Sequence, residues 1–261
     1  MPRPRAGAQG GFTLIEAATV LVIVGLALAT ALRPLAAQLD LRNVEQTRRA
    51  MEAAQDALLG YAAATGHLPC PDRLDDGDGL EDRRVEGVDG PLDGCAAGVY
   101  DGWLPAATLG VPAVDAWGGP LRYRVARELT RGRGDPSAIG PCEDPEGDNR
   151  CTADLGDPGD LRVHTRDLAT RAVQPLAIAV PAVLWSAGAN GAGVVNGAAL
   201  GADEEENRDG DSAFTSRERT PAQEGCDDTR TEAPPCAFDD LVAWLSPWVL
   251  SSRLIAAGRW P

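Results

Sequence analysis

Phe12-Thr13-Leu14-Ile15-Glu16-Ala17-Ala18-Thr19-Val20-Leu21-Val22-Ile23-Val24-Gly25-Leu26-Ala27-Leu28-Ala29-Thr30-Ala31-Leu32 is a run of twenty-one residues with a single charge, Glu16. A helix of this length, at about 1.5 Å per residue, matches the roughly 30 Å hydrocarbon core of a bilayer. Arg3 and Arg5 precede it without an acidic residue, a pattern that keeps the N-terminus cytoplasmic and sends the rest of the chain outward. A cleaved secretory signal fits less well. The apolar run is long, the small residues near Ala36 come only after Arg33 and Pro34, and a carboxylate sits near its start. The pattern predicts a transmembrane helix over 12–33.

The next segment, 34–66, reads as an amphipathic continuation of that helix. Leu35, Leu39, Val44, Met51, Ala54, Leu58 and Tyr61 recur mostly three or four apart. Glu45 and Arg49 form an i,i+4 pair in the favourable order. Gly66, with Pro69 beyond it, supplies the stop. Such a helix is expected to pack one face on its own domain.

From 67 to 261 the chain turns to Gly, Pro and Asp with short strand-like runs. Leu121-Arg122-Tyr123-Arg124-Val125 alternates as a half-buried strand does. Leu176 to Trp185 is another apolar run, broken by Pro181, which favours an edge or bulged position. Ser246 followed by Pro247 opens a helix, and Gly258 closes it. Six cysteines, Cys70, Cys95, Cys142, Cys151, Cys226 and Cys236, suit an oxidising compartment. Sequence does not choose among their possible pairings. Neighbour-to-neighbour pairing (70–95, 142–151, 226–236) is the simplest expectation. A zinc site lacks CxxC spacing, and His67 and His164 are isolated.

Gly11-Phe12-Thr13-Leu14-Ile15-Glu16 resembles the processing site of type IV prepilins and type II secretion pseudopilins. The resemblance implies that residues 1–11 are a leader, cut between Gly11 and Phe12 by a prepilin peptidase that methylates the new N-terminus. It implies that Glu16, then the fifth residue, pairs with the terminal amine of a neighbouring subunit during assembly. Gly25 also matches; Pro34 lies one position later than the family's usual proline. Asp115-x-Trp117-Gly118-x-Pro120 before the Tyr123 strand is similar to the start of the pseudopilin sheet. Ser186-x-Gly188-x-Asn190-Gly191 is similar to a strand-and-turn near the end of such domains, where an Asp-Asp pair before an apolar strand also occurs.

The fold expected is α+β. A long N-terminal helix, half membrane-spanning and half amphipathic, packs on a small antiparallel sheet domain with disulfide-braced loops. The function implied is a minor pilin or pseudopilin in the inner membrane, single-pass, with residues 67–261 in the periplasm or on a filament. Its partners would be other subunits, the prepilin peptidase, the assembly platform and the membrane. A filament-tip adhesin or substrate-binding module is the alternative, and a membrane-tethered enzyme stands behind it. No GxSxG or HExxH occurs, so catalysis is not expected.

Charge and residue types narrow the chemistry further. Lys plus Arg is 24 and Asp plus Glu 39, for a net charge of −15. That balance disfavours nucleic acid, whose phosphates need cations. No lysine occurs, which excludes a Walker-type phosphate loop. Two acidic loops are candidate calcium sites: Asp76, Asp78 and Asp82 in the first, and Glu206, Asp209 and Asp211 in the second. Calcium in a C-terminal loop is also a feature of some pseudopilins. The competing reading of each loop is a solvated acidic surface. Asp239 and Asp240 either serve a nearby metal or simply begin a strand.

Overall fold

The computed structural model describes residues 14–73, 77–83, 94–130, 161–191 and 200–259, without the side chains of 27–37 and 97. The chain divides into two compact units, Met1–Asn43 and Val44–Pro261. Helix α1 (Leu14–Thr65) runs through the boundary.

In the first unit, Leu14, Ile15, Val20, Leu21, Val22, Ile23, Val24 and Leu26 are all exposed, and Glu16 lies in the first turn. Among the described residues, no helix is long and apolar enough to cross a membrane. The expected membrane-spanning half of the N-terminal helix, over 12–33, is therefore corrected. The single-pass inner-membrane location goes with it. Glu16, in the first turn of α1, sits inside the apolar stretch, where a carboxylate in hydrocarbon is costly.

The second unit is an α+β domain. Its share of α1 buries Val44, Thr47, Met51, Ala54, Leu58 and Ala62, a stripe at helical spacing. Of the expected apolar positions, Leu39 is exposed and Tyr61 half-buried. The Glu45–Arg49 pair forms at 2.9 Å, on the exposed side, where such a pair contributes only a few tenths of a kcal/mol. Gly66, at φ +90°, ends the helix and donates its N–H to Ala62 O at 2.7 Å. That left-handed conformation favours glycine.

Strands β1 (Asp101–Trp103), β2 (Arg122–Val125), β5 (Ala182–Ser186) and β7 (Leu241–Trp244) form an antiparallel sheet in the order β1-β2-β5-β7. Tyr123, Leu184 and Ala243 are aligned across it, and Tyr123 and Leu184 share one core with Met51, Leu58 and Ala62 of α1. Leu250 and Leu254 of α4 (Pro247–Ala256) join the same core. Gln55 Nε2 donates to Trp244 O at 2.8 Å and ties α1 to β7.

A second, three-stranded sheet has the order β4-β3-β6, from β3 (Arg162–Arg166), β4 (Val173–Ala177) and β6 (Ala213–Thr215). It is mixed: β3 pairs β4 antiparallel and β6 parallel. This corrects the expected single antiparallel sheet. Pro181 also differs from expectation. It does not hold one strand at an edge; it separates β4, an edge strand, from β5, which is central and buried at every position. The short helices α2 (Ala106–Leu109) and α3 (Ala202–Glu206) complete the regular elements.

Two of the predicted disulfides are present, Cys70–Cys95 and Cys226–Cys236. Cys142 and Cys151 lie outside the described residues. Closing loops of ten to twenty-five residues stabilises by about 2–4 kcal/mol, chiefly by restricting the unfolded chain.

Beside the first disulfide lies a polar cluster. Tyr61 donates to Glu81 Oε1, Glu81 Oε2 accepts from Cys70 N and Arg83 Nε, and Arg83 Nη2 meets His67 Nδ1. Burial, then the Arg83 charge, holds the His67 pKa below its usual value. The unfolded chain therefore binds a proton that the folded chain refuses. The stability owed to His67 is present above its unfolded pKa of about 6.5 and is lost as pH falls through the lower folded value. Replacing His67 with Gln is expected to flatten that acid-side fall, measured as the change in urea midpoint between pH 7 and pH 5. An unchanged slope would contradict the assignment.

Candidate metal centre

The two later sequence motifs meet in the fold. Asp115 Oδ1 accepts from Trp117 N and Gly119 N, forming the turn before β2. Its Oδ2 accepts from Ser186 Oγ at 2.6 Å, at the end of β5. Ser186 Oγ in turn accepts from Gly188 N at 3.2 Å, which starts the next turn. Gly188 has φ +62°, and a Cβ there would lie 2.5 Å from Asp239 O. Only glycine allows the turn to approach the entry to β7 so closely.

That approach builds the site. Asp239 Oδ2 accepts from Ala189 N at 2.9 Å and Asn190 N at 3.2 Å. Asn190 Nδ2 donates to both oxygens of Glu204, at 2.9 and 3.0 Å. Asp239 N donates to Glu204 Oε1 at 3.1 Å. Asp240 Oδ2 accepts from Asn207 Nδ2 at 2.8 Å. Glu204, Asp239 and Asp240 thus each offer an oxygen within 4.8 Å of the others, the one such group among the described residues.

Helix α3 is held in place by a second set of charges. Asp203, next to Glu204, is fully buried and bridged by Arg166 Nε at 2.7 Å and Arg217 Nε at 2.6 Å. Arg217 also reaches Asp228 Oδ1 at 3.1 Å and stacks over Phe238, 4.4 Å from the ring centre. Asp228 Oδ1 accepts Cys236 N, beside the Cys226–Cys236 disulfide. Cations and the disulfide so fix Phe238 and Asp203. Their neighbours Asp239, Asp240 and Glu204 are left facing one another.

The cost of that juxtaposition appears in the acidities. Burial pushes Asp240 up to about 7, against the hydrogen bond from Asn207 and with the added charge of Glu204. Burial likewise raises Glu204 and Asp239.

The sequence-predicted ligands are placed differently. Asp76 lies outside the described residues, as do Gly11 and Phe12. Asp78 is exposed and caps Leu80 N, while Asp82 Oδ2 accepts Arg73 N at 2.7 Å. In the second loop, Asp209 accepts Asp211 N and Asp211 accepts Ala213 N, both as local turns, and Glu206 is half-buried beside them. The described residues of neither loop converge. The converging residue from the second loop is Glu204, two positions before Glu206, and it meets the Asp239-Asp240 pair already visible in sequence. No family model, no curated protein and no solved structure matches the chain. The fold and site define an α+β domain with a cluster of three carboxylates, Glu204 and Asp240 buried and Asp239 half-buried, and the comparisons lend the pilin resemblance no support.

Proposed function

We propose that the chain is a non-catalytic structural subunit of a filament of the type IV pilus or type II secretion kind, assembled through its N-terminal helix. One observation carries the reading beyond the Gly11–Glu16 motif. Leu14, Ile15, Leu21, Ile23 and Leu26 are exposed on α1, whereas the domain from Val44 onward closes its own core. A patch of this kind marks an interaction surface, and helices of neighbouring subunits are the cover the resemblance implies. Glu16 then pairs with the amine of a neighbour's Phe12. The prepilin peptidase and the assembly platform are the further partners of this reading, and minor rather than major status follows from the size of the domain.

The test is N-terminal mass spectrometry of protein from cells with and without a prepilin peptidase. The mature chain is expected to begin at methylated Phe12 only when the peptidase is present; any other start would overturn the reading. Replacing Glu16 with Val should leave the domain folded and reduce incorporation into filaments by tenfold or more, on the order of the loss of one desolvated ion pair. Equal incorporation would remove the pairing role.

A further inference from the structure

We propose that the outward face of α4 rests on an anionic lipid surface, with Trp248 and Ile255 entering the headgroup layer and Arg253 beside them meeting lipid phosphate. The helix buries Leu250 and Leu254 in the core of its own domain. With 3.6 residues per turn, the side opposite those leucines centres on Ser252 and is flanked by Trp248, Val249, Ile255 and Ala256. All five are exposed, Trp248 at 83%, Ile255 at 56% and Val249 at 44%. That side holds no charged residue; Arg253 lies at its flank. A helix that is apolar all round is ordinarily covered all round. The domain covers only the leucine side of α4, and the other side is left for a partner.

The charge around the helix decides which partner. Residues 241–261 contain Arg253 and Arg259 and no acidic side chain, in a chain of net charge −15. Arg259 donates to Ala64 O at the end of α1. Arg253 is exposed and joins none of the ion pairs among the described residues, although the chain has acid in excess. A surface that satisfies both parts of this face is apolar and anionic at once. A leaflet with acidic lipids is such a surface: its headgroup boundary takes indole and aliphatic side chains, and its phosphates take arginine.

Other occupants fit less well. A second copy offers either its acidic surface, which does not solvate Trp248 in apolar material, or its own α4, which brings two strongly acidic chains together. A groove on another protein needs a pocket shaped for an indole that stands almost clear of its domain; a fluid lipid surface needs none. The contact is peripheral. Helix α4 has ten residues and keeps its leucine side in the core, so it lies in the plane of the surface and does not cross it. The inference does not rest on the filament reading, which uses the N-terminal part of α1.

The experiment mixes the full-length chain with vesicles of phosphatidylcholine alone, or of equal parts phosphatidylcholine and phosphatidylglycerol, with brominated acyl chains that quench tryptophan. Helix α1 contains no tryptophan, so its own contact with lipid leaves the signal unchanged. Quenching is expected on the mixed vesicles, and most of it should vanish in Trp248→Phe. Arg253→Gln should raise the lipid concentration at half-quenching about fivefold, the share of one basic residue near an anionic surface. Ile255→Ser should raise it by a similar factor, and added salt should weaken binding by the parent. All three positions are exposed, so the variants should melt as the parent does, which separates lost binding from lost folding. Quenching that persists in Trp248→Phe, or none on the mixed vesicles, would overturn the proposal. Equal quenching on phosphatidylcholine alone would overturn the anionic choice. A blue shift of Trp248 that follows protein concentration without lipid would assign the face to a second copy instead.

Discussion

Replacing Arg217 with Met is expected to lower the stability of the domain by about 3–5 kcal/mol, the usual cost of removing one partner from a buried ion network. For a domain of this size that is a fall of roughly 6–20 °C in melting temperature. The side chain is almost wholly buried between Asp203 and Asp228 and over the Phe238 ring. Methionine fills part of the volume but leaves Asp228 without its ion-pair partner. Asp203 keeps Arg166, so the loss falls mainly on the Asp228 side. Arg217→Lys should also be costly, because an ammonium on a flexible stem cannot reproduce the fork that reaches two carboxylates and Cys236 O together. A loss below about 1 kcal/mol by urea titration would mean that the network contributes little beyond packing.

Leu58→Ala is expected to cost about 3–5 kcal/mol, whereas Leu41→Ala should change stability by no more than about 0.5 kcal/mol. Leu58 is fully buried in the core that contains Tyr123 and Leu184, and alanine leaves a cavity that rigid neighbours on the sheet cannot close. Leu41 is exposed. If α1 serves in assembly as proposed, the order reverses in a filament assay: Leu41→Ala weakens incorporation without unfolding the domain. Equal stability losses at the two positions, read by denaturant midpoint, would contradict this division of the helix.

Much of the second unit was legible because short-range rules govern it. Val44, Met51, Ala54 and Leu58 recur at the helical period, and burial follows that period. Gly66 ends α1, Pro247 begins α4, and β2 alternates as its residues do. Cys70–Cys95 and Cys226–Cys236 pair as nearest neighbours. Other expectations failed where non-local contacts decide. Pro181 marks a break, but whether it ends a strand or bends one depends on which strands flank it. The parallel β3–β6 pair joins segments about fifty residues apart, and no local pattern announces it. The length of the apolar run at 12–32 suggested a membrane span, which the described part of α1 does not support.

The candidate site shows the same division. Composition supplied many carboxylates, and the glycine-turned acidic loops drew attention to Asp78, Asp82, Asp209 and Asp211. Those side chains satisfy themselves on amides two to nine residues away. Sequence alone determined the helical stripe, the turns and the presence of an Asp-Asp pair ahead of β7, while for the cysteines it offered only neighbour pairing as the simplest expectation. Only the tertiary structure decided which carboxylate would meet that pair. Arg166 and Arg217 draw Asp203 inward, Gly188 lets the β5 turn reach Asp239, and Glu204 is carried into place by both. Local conformation is set by backbone sterics and periodicity within a few residues. A buried charge cluster is tolerated only where distant partners compensate it, and distance along the chain carries no sign of that.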